Sequence, residues 1–365
     1  MKRFFLVLIF VLLSICLWAQ NSLNSQENIA FRNAQNAYEN MEYGKALKYA
    51  EDAILLRKEQ VAKDYKTIQT SLAARDVKKA GDNISNIIPV LKERDEYDCI
   101  SLINYYNSKG DFGDSITKVL NYIQSQEQFP EAQKLIGDIY KLEGEYDFAE
   151  EYYLKALENA VVLDIPDERY EIIYMLAELS RQKGDYNTME IRLLNIIGKE
   201  QNEQINVLGR SMKTTISRDN ASAVEKYFQM YRSEYYYSLK AYYALAEYYL
   251  SIGQKDKAFT YSAIGVITGF TKIYNVIEKR DIDFEYTDIS SFLDLIPNYS
   301  DIVTWGSNND VWKSFNLFST ICDECGYTTV ARCLLEILAV HSPQKFWQQD
   351  AVLRLDKADG IKNPE

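Results

Sequence analysis

Apolar residues in segment 130–163 recur with the spacing of two amphipathic helices joined by a short turn. One face of the first helix carries Ile136, Gly137 and Tyr140, and the inner stripe of the second carries Ala149, Tyr153 and Ala156. Gly144 lies between the two stripes, where a turn residue is expected. One hairpin cannot bury both of its apolar faces alone, so the pattern predicts further copies packed on either side.

Copies of this pattern recur along most of the chain. The clearest of them span 31–56, 96–129, 173–196, 239–272 and 312–345. The copy at 96–129 runs into 130–163 with no linker, which indicates that neighbouring copies stack. Two copies are degenerate: Pro89 interrupts the one at 62–95, and the first helix at 204–237 carries Arg210, Ser211 and Thr214 where apolar residues are expected.

The spacing resembles that of the tetratricopeptide repeat (TPR), a unit of about 34 residues with a bulky residue, Leu-Gly, Tyr, Ala and an aromatic residue at fixed positions. The residues at these positions are Gln133, Ile136, Gly137, Tyr140, Ala149 and Tyr153. Gln133 stands where Trp is usual, and the terminal Pro is missing. The resemblance implies an all-α fold, a right-handed superhelical solenoid of stacked antiparallel helix pairs.

The repeats divide the chain into predicted segments. After a leader at 1–19, these are a polar lead-in at 20–27, a TPR-like solenoid of about seven repeats at 28–272, a divergent insertion at 273–311, a C-terminal repeat at 312–345, a capping helix at 346–356 and a tail at 357–365. Within the insertion, a loop and a helix at 291–295 that ends before Pro297 are expected.

The N-terminal residues have the three-part pattern of a secretory signal peptide: Lys2 and Arg3, an apolar run from 4 to 17, and a cleavage site near Ala19. The run is shorter than the roughly 20 residues that a membrane-spanning helix needs. Cys16 permits lipidation as a minority alternative, although Ile15 replaces the small residue that such motifs carry. The leader predicts an exported protein, periplasmic or associated with the cell envelope, with no transmembrane segment after its removal.

Composition narrows the class of function. The chain has 365 residues and a formal net charge of −12, so binding to nucleic acid through a basic surface is not expected. Its 6 Pro and 15 Gly suit long helices better than a sheet fold full of tight turns.

Catalytic chemistry has few candidate residues. His341 is the only histidine, no Gly-rich phosphate loop is present, and no catalytic residue, metal site or cofactor is predicted. Cys322 and Cys325 form a CxxC motif, for which buried packing is favoured over a local disulfide or a redox or zinc function. The protein is therefore not expected to be an enzyme.

Tyrosine is unusually frequent, with 29 residues, and an aromatic cluster can serve as a ligand platform. Tyr242 and Tyr249 fall on the packing stripe, whereas Tyr243 lies off it. The resemblance implies a concave groove lined by the first helices of the repeats. The residues at these groove positions are Lys134, Asp138, Lys141, Tyr174, Glu178, Arg181, Tyr243 and Glu247.

The sequence therefore predicts an exported, non-enzymatic scaffold that binds a protein or peptide partner in the bacterial cell envelope. The alternative is a solute-binding accessory of a transport system, which holds a small molecule within the helical stack. The Tyr cluster and the polar stretch 210–215 favour this alternative. An enzyme that uses Cys322 and Cys325 is the third hypothesis.

Overall fold

The described chain is a series of helices joined by turns and short connections. The computed structural model describes residues 25–73 and 112–360, and all the regular secondary structure in these two ranges is helical. The predicted signal peptide with Cys16, most of the copy at 62–95, the start of the copy at 96–129 and the end of the tail lie outside the described residues. The all-α class is confirmed for the described part of the chain.

The chain forms two compact units, Met1–Ile172 and Ile173–Glu365. The first contains α1 (Gln26–Glu39), α2 (Tyr43–Ala73), α3 (Phe112–Ser125), α4 (Pro130–Leu142), α5 (Tyr146–Glu158) and a 3-10 turn at Ala160–Val162. Helix α6 (Glu168–Gln182) begins at the end of this unit, and its residues from 173 onward belong to the second.

Among its described residues, the second unit continues with two 3-10 turns, Tyr236–Ser238 and Ile296–Asn298, and with ten helices. They are α7 (Tyr186–Ile197), α8 (Lys199–Ile216), α9 (Ala221–Met230), α10 (Leu239–Ser251), α11 (Lys255–Arg280), α12 (Ile289–Leu295), α13 (Ser300–Asn308), α14 (Val311–Glu324), α15 (Thr328–His341) and α16 (Lys345–Ala358). No helix in the described ranges combines the length and apolar character needed to cross a membrane.

One turn geometry joins the helices of five hairpins. After α4, the amide of Gly144 donates to the carbonyl of Lys141 and the amide of Glu145 donates to that of Tyr140, which is the Schellman motif. Gly144 has a φ of +80°, a left-handed conformation that favours glycine. The same pair of bonds follows α6, α10 and α14, with Gly184, Gly253 and Gly326 at the left-handed position.

The hairpin of α1 and α2 makes this turn with a residue other than glycine. Met41 has a φ of +62° and is 76% exposed, and its amide donates to the carbonyl of Tyr38. The left-handed conformation brings Cβ close to the following carbonyl oxygen in an L-residue, so this position is strained. The fold therefore requires the left-handed turn here even though the sequence supplies no glycine.

The core of the first unit joins its first hairpin to α4. Seven buried residues from α1, α2 and α4 form one apolar cluster, namely Ala34, Ala37, Ala46, Ala50, Leu135, Ile136 and Ile139. The small alanines allow the helix axes to approach closely. Helix α2 also continues to Ala73, past the points near 56 and 62 where one copy was expected to end and the next to begin.

Hairpin 130–163 has the predicted register. Ile136, Ala149, Tyr153 and Ala156 have no exposed surface. A Cβ atom on Gly137 would lie 2.7 Å from two ring carbons of Tyr153, so this glycine is required by the close approach of α4 and α5. The Tyr153 hydroxyl donates to Oδ1 of Asp138 over 2.6 Å, which fixes the position of the ring.

In the second unit, the hairpins do not pack in the order of the sequence. Helix α7 packs against α10, while α8 packs against α11 and α9 against α15. Sequential stacking would instead place the α8–α9 hairpin between α7 and α10. Helix α11 is buried along most of its length because α8, α10 and α14 surround it.

The polar first helix at 204–237 has a different register from the expected one. Arg210, Ser211 and Thr214 of α8 are all exposed, so they do not occupy apolar positions. The buried face carries Ile205, Gly209, Met212 and Ile216 instead. A Cβ atom on Gly209 would lie 2.6 Å from the Thr260 side chain of α11, which shows how closely these helices pack.

Segment 273–311 combines the end of α11, an extended stretch and two short helices. Helix α12 lies where a helix was expected, Pro297 falls in the 3-10 turn Ile296–Asn298, and α13 is an additional helix. Glu225 of α9 holds the extended stretch, because its carboxylate accepts the Tyr286 hydroxyl over 2.8 Å and the Ile289 amide over 3.1 Å. Helix α16 occupies the place of the expected capping helix and packs on α15.

Candidate functional site

A polar and aromatic cavity of about 320 Å³ opens in the second unit between α6, α7, α10 and α14. The residues that line it are Tyr174, Glu178, Arg181, Tyr186, Met189, Tyr243, Ala244, Glu247, Tyr248, Ser251, Asp310 and Lys313. Five of the eight predicted groove residues are in this set: Tyr174, Glu178, Arg181, Tyr243 and Glu247. The cavity is within the size range of small-ligand and side-chain pockets.

Helix periodicity places the α6 and α10 side chains in the cavity. Tyr174, Glu178 and Arg181 follow each other at spacings of four and three residues, which is one face of a helix. Tyr243 and Glu247 are likewise four residues apart on α10. The buried face of α10 carries Tyr242, Leu245, Ala246 and Tyr249, so packing of that face turns Tyr243 towards the cavity.

Arg181 links the charged groups of the two helices. Its guanidinium contacts the Glu178 carboxylate over 2.7 Å and lies 3.8 Å from Glu247. Glu247 also accepts the Tyr243 hydroxyl over 3.2 Å. Glu178 is 14% exposed, whereas Arg181 and Glu247 are about half exposed, at 47% and 49%. The Arg181 guanidinium therefore forms ion pairs with two carboxylates of the protein itself.

Aromatic rings form the remaining wall. The Tyr186 and Tyr248 rings are stacked with centroids 5.9 Å apart and planes 8° apart. The Lys313 ammonium lies 4.4 Å from the centroid of the Tyr243 ring, a cation–π contact. The rings supply flat apolar surfaces beside hydroxyl groups and charges, a combination that suits recognition of a ligand with a charged end.

Burial and nearby carboxylates keep two of these tyrosines protonated. Desolvation raises the pKa of Tyr174, and the charges of Glu178 and Asp310 raise it further. Desolvation also raises the pKa of Tyr243, as do the charge and hydrogen bond of Glu247. Both hydroxyls are therefore hydrogen-bond donors at neutral pH, and neither is poised to act as a base.

The cavity lining carries an excess of negative charge. Glu178, Glu247 and Asp310 are set against the cations Arg181 and Lys313, which leaves one net negative charge. Asp310 is the N-cap of α14 and has a left-handed backbone with a φ of +53°. It lies in the short connection between α13 and α14. The arrangement can bind a cation through carboxylates and ring faces.

The three predicted groove residues of the first unit form an internal network. Lys134 pairs with Asp138 over 2.9 Å and lies 3.9 Å from Glu171. Burial opposes the charge of Lys134, but Asp138 and Glu171 raise its pKa overall. Asp138 also accepts the Tyr153 hydroxyl, and Lys141 is partly buried. These residues do not line the cavity of the second unit.

Several cavity residues were not predicted from the sequence. Tyr186, Tyr248, Asp310 and Lys313 were not among the predicted groove positions. Tyr248 is within the tyrosine-rich stretch that the composition singled out, so that signal was available. Asp310 is in the segment without the repeat pattern, and Lys313 is off the repeat positions of α14, so neither carried a recognisable signal.

A second cavity, of about 650 Å³, lies beside α15 and α16. Two of the three cations in its lining, Arg332, Arg354 and Lys357, have partners within the protein. Arg332 contacts Asp359 over 2.6 Å and Glu336 over 2.9 Å. Arg354 donates to Asn316 over 2.5 Å. These two arginines hold α16 in place, so neither guanidinium is available to a ligand.

The residues considered for catalysis lie outside the first cavity. His341 contacts Asp294 over 2.7 Å, and Cys322, Cys325 and Cys333 are free thiols. Desolvation raises the pKa of both Cys322 and Cys325, which disfavours the thiolate that nucleophilic or redox chemistry needs. Within residues 25–73 and 112–360, no cluster of three or more His, Cys, Asp or Glu side chains is arranged to hold a metal ion.

Comparison with known proteins finds one relative of similar length. No family model matches the chain. An uncharacterized protein of Treponema pallidum (strain Nichols) is 26% identical over 327 residues, which are 88% of this chain and 87% of that protein. The similarity therefore extends over most of both chains and across both units described above.

Proposed function

We propose that the protein is an exported, non-enzymatic scaffold of the bacterial cell envelope that binds a segment of a partner protein in the cavity of the second unit. One observation carries the proposal. Five side chains that the repeat pattern assigns to a binding groove, from the first helices of two separate hairpins, line a single cavity with one net negative charge. Solenoid proteins commonly use such surfaces to hold partners.

The proposed fold family is the TPR family, with hairpins arranged as a right-handed superhelical solenoid. The shared Schellman turn of five hairpins and the close approach at Gly137 support this assignment. The non-sequential packing of the α8–α9 hairpin is a local departure from such a stack. The N-terminal leader supports export, and similarity to a Treponema pallidum protein supports a bacterial origin.

Co-purification from the native envelope tests the scaffold function. The wild-type chain should recover a partner protein that the double variant Tyr243→Ala/Arg181→Ala does not recover. The matched control is Tyr146→Ala/Arg210→Ala, because both residues are exposed and neither lines the cavity. Equal recovery by the wild type and both double variants would refute a role for the cavity. The mass of the N-terminal peptide in the same preparation reports leader cleavage or lipidation at Cys16.

The second candidate is a solute-binding accessory of a transport system. The cavity of about 320 Å³, with its tyrosine rings and charges, favours it because a small molecule would fit there. A thermal-shift screen with metabolites should then raise the melting temperature of the wild type but not of Tyr243→Ala. A screen with no stabilising compound, together with partner capture in the envelope experiment, would favour the scaffold.

A further inference from the structure

One of the two cations in the cavity lining, Lys313, lies on an aromatic ring. The Lys313 ammonium lies 4.4 Å from the centroid of the Tyr243 ring. In the described part of the chain this ammonium has no ion pair with a carboxylate, although Asp310 and Glu247 line the same cavity. The ring face is therefore a position that accepts an ammonium, and Lys313 occupies it without being tied to an anion.

Two carboxylates of the cavity can accept further contacts from a ligand. Among the residues that the structure describes, the Asp310 side chain makes no hydrogen bond or ion pair, and the contact of Glu247 with Arg181 is long at 3.8 Å. Arg181 contacts Glu178 over 2.7 Å and lies between the charges of both glutamates. An incoming anion would have to compete with these carboxylates, whereas an incoming cation would relieve their excess charge.

We infer that the cavity is a cation site for a lysine or arginine side chain of the partner, and that Lys313 is a resident competitor for the same place. The partner's cationic head would lie on the Tyr243 ring between Glu247 and Asp310, and its methylene chain would lie along the Tyr186–Tyr248 stack. The inference rests on the proposed function, since it names the group through which the partner segment is recognised.

If Lys313 competes with the ligand, its removal has the opposite effect on a cation site and on an anion site. Removing Lys313 empties the ring face and raises the net negative charge of the lining, so it should strengthen binding of a cation. If the cavity instead bound a carboxylate through Lys313 and Arg181, the same change would weaken binding. The direction of the Lys313→Ala effect therefore distinguishes the two ligand charges.

A ligand-observed NMR titration of the purified full chain measures this directly. The probes are a capped Gly-Lys-Gly tripeptide, its Nε-acetyl-lysine form, a capped Gly-Glu-Gly tripeptide and butylamine. The lysine tripeptide should bind about fivefold more tightly to Lys313→Ala than to the wild type, and about fivefold more weakly to Asp310→Asn. Lys313→Arg is the matched control, because it keeps a resident cation and should bind as the wild type does. Circular dichroism of each variant checks that the fold is intact.

Several results would overturn the inference. These are weaker or unchanged binding to Lys313→Ala, equal binding of the acetylated tripeptide, or tighter binding of the glutamate tripeptide. Butylamine reproduces the lysine side chain, so it should bind nearly as tightly as the lysine tripeptide, and butylamine that does not bind would also overturn the inference. Partner capture that depends on Tyr243 and Arg181 without lysine binding would refute this inference alone. Lysine binding without any captured partner would refute the scaffold function and leave the cation site.

Discussion

Replacing Gly137 by alanine tests the close packing of α4 on α5. In most helix interiors this change stabilises by roughly 1 kcal/mol, because alanine has the higher helix propensity. Here the new Cβ would lie 2.7 Å from Cδ1 and Cε1 of Tyr153. The ring cannot swing away freely, since its hydroxyl donates to Asp138 over 2.6 Å.

The expected magnitude follows from these opposing terms. Overpacking a core typically costs about 1–3 kcal/mol, and a hydrogen bond to a charged group contributes about 1.5–3 kcal/mol if the ring shift breaks it. After the gain of roughly 1 kcal/mol in helix propensity is subtracted, Gly137→Ala should lower the free energy of unfolding by about 0–2 kcal/mol if the bond to Asp138 survives and by about 1.5–5 kcal/mol if it breaks. The double variant Gly137→Ala/Tyr153→Phe should show a smaller cost for the alanine than the single variant, because the ring is then free of Asp138.

Urea unfolding followed by circular dichroism measures the effect. Gly44→Ala is the matched control: it is also a helical glycine, but a Cβ there would meet no atom within 4 Å. That control should be neutral or stabilise by up to about 1 kcal/mol. If Gly137→Ala were as stable as Gly44→Ala, the packing of Tyr153 against α4 would be wrong.

Four further changes have expected outcomes. Met41→Gly should stabilise by about 1 kcal/mol in urea unfolding, since it relieves a left-handed residue with a φ of +62°. Ile136→Asp should cost several kcal/mol, because the side chain has no exposed surface, whereas Ile136→Val should cost only about 0.5–1.5 kcal/mol. Hydrogen bonds from Ser291 lower the pKa of Asp288, the N-cap of α12. The ionised cap therefore stabilises the folded protein at pH values above the usual Asp pKa, and this stabilisation is lost as the pH falls through the lowered pKa. Asp288→Ala should therefore cost about 1 kcal/mol at neutral pH and less in acid, while Asp288→Asn should retain most of the cap. In native protein, a thiol reagent with peptide mapping should label Cys325 before Cys322, which is fully buried and should react only on unfolding.

The parts of the fold that could be predicted from the sequence are those set by residues close together in the chain. The period of apolar residues placed Ile136 and Tyr153 in the core, and Gly144 marked the turn, because both signals depend on residues only a few positions apart. The turn at Met41 had no such signal. Its left-handed backbone is imposed by the packing of α1 on α2 and is not a preference of methionine.

Contacts between distant hairpins could not be predicted in the same way. The repeat pattern aligned Arg210, Ser211 and Thr214 with apolar positions, but the helix is rotated so that Gly209 and Met212 are buried instead. Which helix a face packs against depends on complementary surfaces far apart in the sequence. Gly209 fits against Thr260 of α11, a match that no local pattern reveals.

The same non-local packing creates the candidate site. The repeat pattern grouped Tyr243 and Glu247 on one face, and Tyr174 and Arg181 on another, but it placed the α8–α9 hairpin between them. Because α7 packs directly on α10, Arg181 comes within 3.8 Å of Glu247 and the cavity closes around them. Asp310 and Lys313 then complete the lining from α14, which packs on α11. The charge and ring surfaces that would recognise a partner are therefore set by the exception to the repeat order, and a strictly sequential stack of these hairpins would not contain them.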